Sequence, residues 1–296
     1  MPERLPGAER PRSGRLEVHK TYKLFIGGAF PRSESGRSYV VSSAGGRRLA
    51  NAALASRKDA RDAVAAARAA QPAWASSTAY NRGQVVYRLA EMLEGRAAQF
   101  AASVAAAEGA TARASRRIVA ASIDRLVWYA GWADKFAQVV GSSNPVAGPY
   151  FNFTIPEPTG VVAVLAPQVS SLLGLVSVLA PVVVTGNAAV VVASEARPLP
   201  AVTLAEVAAT SDVPAGVVNV LTGRTGELAP VLAGHMDVGA LDISGAAPDA
   251  RPDLERLAAG NLKRVLVLEE DWAAVPSLRR LRAFVEVKTV WHPVGI

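Results

Sequence analysis

The chain has 296 residues, of which 50% are hydrophobic and 19% are charged, a balance typical of a globular protein with a sizeable core. It contains no cysteine, which excludes disulfides, cysteine-ligated zinc and a thiol nucleophile. The net charge is +7, but the basic residues are scattered and no aromatic residues alternate with them. We therefore expect no nucleic-acid partner.

The amino-terminal segment, residues 1–18, is polar and rich in proline and arginine, and we predict that it is disordered. It has no apolar run of the kind that a signal peptide needs. The longest apolar stretch, residues 172–184, is interrupted by Gly174, Ser177 and Pro181 and is too short to cross a bilayer. These features predict a cytoplasmic protein with no membrane partner.

The first half of the chain is mainly helical in pattern, after two short strands predicted within residues 20–41. One helix is expected to begin at Ser56, which is a suitable N-cap, with Asp59 at the third helical position. Pro72 is expected to end that helix. Three further helices are predicted between residues 78 and 138, and the apolar face of the last one is assigned to the core.

The second half alternates short apolar runs with helical stretches. The runs are 161–167, 188–193, 216–221 and 238–243, and "NLKRVLVLEED" adds a fifth. Strands that alternate with helices predict an α/β fold with a Rossmann-type parallel sheet and helices on both faces. Sheets of this kind bind nucleotides at the carboxyl ends of their strands.

The end of the chain has a different pattern. Residues 284–291 alternate strictly, with Phe284, Glu286 and Lys288 among the residues on one face and Val287 and Trp291 on the other. A strand at a chain end with no helix to cover it is expected at the edge of a sheet, and exposed edges favour pairing with another chain. We therefore predict that this strand, together with residues 146–157, forms the main interface with a second subunit.

Six segments, in order, resemble the aldehyde dehydrogenase family. They are "YKLFIGGAF", "YAGWADK", "EPTGVVAVLAP", "APVVVTGNAAVVVASEARPLPA", "GVVNVLTG" and "EVKTVWHPVG". Within the family, the sequence is most similar to a branch in which two such modules occur in tandem or as adjacent chains. In that branch the second module lacks the nucleophile.

The resemblance implies NAD(P)-dependent oxidation of aldehydes through a cysteine thiolate, with hydride passing to the nicotinamide and a glutamate-activated water releasing the product. That machinery has no counterpart here. The oxyanion-holding asparagine falls at Val169, which has no donor, and the general base falls at Leu268, or at Glu269 after a slip of one residue. We therefore assign no catalytic residue.

The resemblance places two residues at the cofactor site. Glu195 matches the glutamate that binds the adenosine ribose, and Gly245 matches the turn that receives the pyrophosphate at a helix start, where Ala246 replaces a serine. The ribose-binding lysine falls at Val192, which is expected to face the ribose. NAD(P) binding is therefore expected to be weak or lost. For Glu195, a cap of the turn after the strand is an equally open alternative. For Gly245, the residue pattern favours a structural turn glycine over a phosphate cradle.

No metal site is predicted. The acidic run Glu269–Asp271 ends a strand, and consecutive strand residues point to opposite faces of a sheet. A solvated strand end explains the run without a metal ion.

The resemblance also implies that the catalytic domain is deleted, because Trp272 is followed within a few residues by the terminal strand. We predict a nucleotide-binding-like α/β domain at residues 19–142 and 158–275. A small β element for oligomerisation is predicted at residues 143–157 and 276–296.

The expected function is that of a catalytically inactive subunit, which scaffolds or regulates an active aldehyde dehydrogenase. The expected assembly is a homo-oligomer or a hetero-oligomer with a full-length aldehyde dehydrogenase. The alternatives are an NAD(P)-binding sensor, and an oxidoreductase with residual NAD-dependent activity in a complex.

Overall fold

The computed structural model describes residues 18–295, so the predicted disorder of residues 1–17 lies outside it. The strands are β1 (Thr21–Tyr22), β2 (Ser38–Ser42), β3 (Arg48–Ala53), β4 (Ser142–Asn144), β5 (Tyr150–Pro158), β6 (Val161–Leu165), β7 (Ala188–Val192), β8 (Val218–Leu221), β9 (Ala240–Asp242), β10 (Arg264–Leu266) and β11 (Val285–Pro293). The helices are α1 (Arg57–Ser76), α2 (Ala79–Glu94), α3 (Ala97–Glu108), α4 (Ala112–Trp132), α5 (Phe136–Val140), α6 (Leu173–Val184), α7 (Leu199–Ala208), α8 (Thr225–Ala233), α9 (Arg251–Ala258) and α10 (Arg279–Ala283).

The central sheet has the order β10-β9-β6-β7-β8, and every pair in it is parallel. This confirms the predicted α/β fold. The residues of β6 and β7 are buried at every position because helices cover both faces. Alternate residues divide between two cores: Val162 and Val164 pack with α4 and α6, whereas Val161 and Leu165 pack with α1 and α8.

The first helix begins as predicted but ends later. Ser56 accepts hydrogen bonds from backbone amides of the first turn, and Asp59 accepts one from the Ser56 amide at 2.7 Å. The expected end at Pro72 is wrong, since α1 continues to Ser76. Proline removes only one helical hydrogen bond, and the next turn is held by Trp74. The Trp74 indole is buried and donates to the carbonyl oxygen of Val183 at 2.8 Å.

A three-stranded antiparallel sheet has the order β11-β5-β4, in which β11 pairs with β5 over nine residues. The expectation that the last strand lies at a sheet edge is confirmed. Residues 267–284 connect β10 to β11, and α10 within this connection packs against α6. A smaller sheet, β1-β3-β2, lies near the amino terminus. None of the helices in residues 18–295 is long and apolar enough to cross a bilayer.

Candidate functional site

The central sheet opens at its carboxyl end on a pocket of about 440 Å³. Four residues from four different connections meet in its lining: Gln168 after β6, Glu195 after β7, Thr225 at the start of α8 and Gly245 after β9. The structure thus brings together both residues that the sequence assigned to cofactor binding.

The position of Glu195 is fixed by its neighbours. Its backbone N–H donates to Oε1 of Gln168 at 2.9 Å, and the Gln168 amide donates in turn to the carbonyl oxygen of Ala166 at 2.9 Å. The Glu195 carboxylate accepts a hydrogen bond from Arg224 at 2.5 Å and one from the backbone N–H of Thr225 at 3.2 Å. Glu195 therefore lines the pocket and caps the start of α8, a contact distant in sequence from the turn after β7 that the sequence analysis considered.

Tyr39 lies beside this ion pair, with its ring centroid 5.5 Å from the Arg224 guanidinium carbon. Burial raises the pKa of Tyr39 well above its ordinary value, and the negative charge of Glu195 raises it further, whereas Arg224 opposes the shift. The phenol stays protonated at neutral pH and cannot serve as a base.

Gly245 is required by the close approach of its backbone to β6. A Cβ atom at this position would lie 2.2 Å from the carbonyl oxygen of Ala166 and 2.4 Å from that of Leu165. The Gly245 amide donates to the Leu165 oxygen at 3.2 Å. A structural reason therefore accounts for this glycine, although it also lines the pocket.

We expect Gly245→Ala to lower the free energy of unfolding by about 2–3 kcal/mol, because the carbonyl groups of Leu165 and Ala166 at the end of β6 would have to move. Gly260→Ala is the control, since a Cβ there meets nothing within 4 Å, and it should change stability by less than about 0.5 kcal/mol. Urea denaturation of both variants checks this. Equal stability of the two would contradict the close approach.

The first three amides after β9 are not free to bind a phosphate. The backbone amides of Ser244, Gly245 and Ala246 all donate to protein oxygen atoms within 3.2 Å. Helix α9 begins only at Arg251, so Gly245 is not at a helix start. The expected site for pyrophosphate at a helix amino terminus is therefore wrong, because the chain between the glycine and the helix forms turns.

The residues that fall at the family's ribose-binding lysine and general base do not line the pocket at Glu195. Val192 has 0% of its surface exposed and packs beside Val190 in the core against α1 and α8. The expectation that Val192 faces the ribose is wrong. The alternation of side chains along β7 directs Val192 into the core beneath α1 and α8. Leu268 is buried, and Glu269 is exposed and pairs with Arg251 at 3.2 Å.

A buried charge cluster, which the sequence analysis did not predict, lies at the same end of the sheet. Arg280 has only 1% of its surface exposed, donates to the fully buried carboxylate of Asp242, and donates to Glu270 at 2.8 Å. Its guanidinium carbon lies 5.3 Å from the centroid of the Trp272 ring. Burial raises the pKa of Asp242, and Arg280 opposes that shift.

A second buried arginine holds the same connection. Arg125 of α4 donates to Oγ of Ser177 at 2.7 Å, and to the carbonyl oxygens of Trp272 at 2.9 Å and Ala274 at 2.8 Å. Residues 267–284 are thus clamped over the end of the central sheet by two arginines. An acidic residue inside the apolar run "ALDI" is the one sequence signal of this cluster.

The described residues contain no cluster of side chains that could hold a metal ion. No three histidine, aspartate or glutamate side chains within residues 18–295 lie close enough together to hold one.

The fold and these sites can be compared with known proteins. Residues 30–269 match the model of the aldehyde dehydrogenase family. Human mitochondrial 10-formyltetrahydrofolate dehydrogenase is 32% identical over 258 residues, which cover 84% of this chain but only 28% of that protein. Cytosolic 10-formyltetrahydrofolate dehydrogenase of Xenopus tropicalis is also 32% identical over 258 residues, which cover 84% of this chain and 28% of that protein.

Solved structures agree with the family match. PnpE from Pseudomonas sp. WBC-3 superposes with a TM-score of 0.78 at 29% identity, covering 84% of this chain and 50% of that one. The NAD⁺ complex of the Bacillus cereus aldehyde dehydrogenase gives a TM-score of 0.78 at 26% identity, again over 84% and 50%. The chain spans about half the length of these enzymes. On the strength of the family match and these relatives, this chain belongs to the aldehyde dehydrogenase family.

Proposed function

We propose that this chain is a catalytically inactive aldehyde dehydrogenase family subunit that assembles through the outer edge of β11, with copies of itself or with an active aldehyde dehydrogenase, and so scaffolds or regulates its partner. The observation that carries the proposal is the free edge of β11. Support also comes from the sequence, which contains no cysteine to serve as the family's nucleophile.

The hydrogen-bond register of the β11–β5 pair defines that edge. Thr159 donates to the carbonyl oxygen of Phe284, and Val294 donates to that of Pro149. In an antiparallel pair, hydrogen-bonded positions alternate with positions whose N–H and C=O point away. The even-numbered residues of β11 therefore face β5. Val287, Thr289 and Trp291 present their backbone groups to the outside, where no other strand of residues 18–295 lies.

The side chains around this edge suit a protein partner. Val287 is 59% exposed and Trp291 is 58% exposed, and the Trp291 ring lies 5.8 Å from that of Tyr150. An edge of this length and character is one that soluble proteins normally protect. The charged residues of β11 lie on the other face and are already paired there, Lys288 with Glu157 at 2.8 Å being one case.

Light scattering of the purified chain, alone and mixed with an equimolar active aldehyde dehydrogenase, tests the assembly. We expect a mass above the 30.8 kDa of one chain, or a complex in the mixture. A monomeric mass in both samples would remove the basis of the scaffold role.

The surroundings of Ser170 and Ser171 support the expected lack of activity, because neither serine is placed to replace the missing nucleophile. Ser170 and Ser171 are the hydroxyls nearest in sequence to the oxyanion position. Ser171 has a carboxylate partner that the sequence did not reveal, since its Oγ donates to Glu108 at 2.7 Å, but Ser171 is buried. Ser170 accepts a hydrogen bond from the amide of Gly174 at 2.9 Å. Neither hydroxyl combines a base with open access to a substrate.

We accordingly expect no reduced cofactor when the isolated chain is incubated with short aliphatic or aromatic aldehydes and NAD or NADP. Absorbance at the nicotinamide band measures this, with an active aldehyde dehydrogenase assayed in parallel to validate each aldehyde. Steady cofactor reduction above the buffer control would refute the inactivity and revive an oxidoreductase function.

A second function is supported by the 440 Å³ pocket at Glu195, namely binding of NAD(P) without turnover. Glu195 remains available to a ribose, but the amides of Ser244, Gly245 and Ala246 already donate to protein oxygen atoms and would not bind a pyrophosphate. Weak NAD(P) binding is the expected result of this combination.

A further inference from the structure

We propose that a basic pocket at the carboxyl end of β3 binds a small phosphate group, either as inorganic phosphate or as the phosphate of a small ester. This basic pocket shares no lining residue with the pocket at Glu195. The inference therefore depends neither on NAD(P) binding nor on assembly through β11.

The basic pocket lies where the strands of the amino-terminal sheet end. Ala53, the last residue of β3, is a buried part of its lining, with Thr21 of β1 on one side and Ser38 of β2 on the other. The loop before β2 completes the lining. The volume is about 280 Å³, close to the lower end of the usual range for small-molecule sites, so the ligand must be small.

The charge of the lining is positive. Lys23, Arg32 and Arg37 line the basic pocket, and no aspartate or glutamate among residues 18–295 does. Within the same part of the chain, none of these three side chains makes an ion pair or a hydrogen bond. Concave surfaces with charge of one sign concentrate ligands of the opposite sign.

The nearby acidic groups are engaged on the far side of the loop. Ser33 is buried and its Oγ donates to Asp59 at 2.8 Å, and the Glu34 amide donates to the same carboxylate at 3.1 Å. The Glu34 carboxylate in turn accepts a hydrogen bond from Oγ of Ser56 at 3.1 Å. Both carboxylates are thus held at the start of α1, and the two arginines of the loop are left to the basic pocket.

The backbone of the loop is fixed at both ends, next to the two arginines. The Leu24 amide donates to the carbonyl oxygen of Pro31, which precedes Arg32, at 3.1 Å. The Leu54 amide donates to the carbonyl oxygen of Arg37 at 2.9 Å. Because the backbone is already ordered, a ligand would have to order only side chains, which lowers the cost of binding.

Two hydroxyl groups in the lining can add uncharged donors. Oγ1 of Thr21 accepts a hydrogen bond from the Asn51 side chain at 3.5 Å, which leaves its own proton for another acceptor. Ser38 is exposed, and its hydroxyl has no hydrogen-bond partner in the described part of the chain.

This set of donors suits a phosphate better than a monovalent anion. A guanidinium group forms paired hydrogen bonds with phosphate oxygens, and an ammonium group adds a point charge. A phosphate monoester carries about −1.5 to −2 charges at neutral pH, so it would offset more of the three positive charges than chloride or a monocarboxylate would.

Calorimetry of the full chain with inorganic phosphate, glycerol 3-phosphate and chloride, at matched ionic strength, tests the proposal. We expect saturable binding of both phosphates and none of chloride. Tighter binding of the ester would identify an esterified ligand, whereas equal or tighter binding of inorganic phosphate would identify the free anion. Failure of both phosphates to bind at millimolar concentration would overturn the proposal and leave the light-scattering test untouched.

Two variants and a control assign the binding to the basic pocket. Arg32→Gln and Arg37→Gln should each weaken phosphate by about tenfold, because each removes a charge-assisted donor. Arg47→Gln is the matched control, since Arg47 is an exposed arginine of the β2–β3 connection that does not line the pocket. It makes the same change in net charge and should alter the affinity by less than about twofold.

Thermal melting without ligand checks that all three variants are folded, as expected for exposed side chains. Equal weakening of phosphate binding by the pocket variants and by Arg47→Gln would show a general charge effect and overturn the site.

Discussion

Arg280→Met is expected to lower the free energy of unfolding by about 3–5 kcal/mol. The side chain is buried and paired with Asp242, whose carboxylate has no exposed surface, and with Glu270. Methionine preserves much of the volume but leaves a buried negative charge without its partner. The connection that closes the end of the central sheet would lose its main anchor.

Neutralising the orphaned carboxylate should restore part of the loss, so the double variant Arg280→Met/Asp242→Asn is expected to be more stable than the single one. The pH dependence follows from the same charge. Burial raises the folded-state pKa of Asp242 above its unfolded value of about 3.9. The deficit of the single variant should therefore be smallest at low pH and grow as the pH rises through the folded-state pKa.

Urea denaturation at pH 5 and pH 8 measures both effects. Arg279→Met is the control, because Arg279 is an exposed arginine of the same helix and should change stability by less than about 0.5 kcal/mol. Equal losses for Arg280→Met and Arg279→Met would show that the clamp contributes nothing to stability.

Val287→Pro is expected to reduce the assembled mass to that of one chain while the fold is kept. The Val287 amide points to the free edge of β11, so proline removes a donor to a partner strand and leaves the pairing with β5 intact. Lys288→Pro is the matched comparison, since the Lys288 amide points towards β5. It should instead lower the free energy of unfolding by about 1–3 kcal/mol.

Light scattering and thermal melting of both variants separate the two effects. If Val287→Pro folds and keeps the wild-type mass, the interface lies elsewhere. If both prolines act only on stability, the register derived for β11 is wrong.

Local patterns were enough to predict much of this fold. The apolar runs mark β6 to β9 because fully buried parallel strands have few polar positions. Ser56 with Asp59 marks the start of α1 through capping chemistry alone. The alternation in β11 identified an edge strand because its polar face had no helix to cover it. These features depend on neighbours in sequence.

The features that were predicted wrongly or missed depend on residues that are close in space but distant in sequence. Pro72 was expected to end α1, but the packing of Trp74 beyond it decides the outcome. The direction of Val192 follows from which helices cover each face of the sheet. The pair formed by Asp242 and Arg280 joins residues 38 positions apart, and no periodicity links them.

Residue-resolved hydrogen exchange along β11 tests the central claim most directly, namely that this chain acts through the free edge of β11. We predict that the outward amides of Val287, Thr289 and Trp291 become protected as the protein concentration rises or when an active aldehyde dehydrogenase is added. The inward amides of Lys288 and Val290 should be protected throughout. Outward amides that exchange as fast as in a free peptide under all of these conditions would contradict the account.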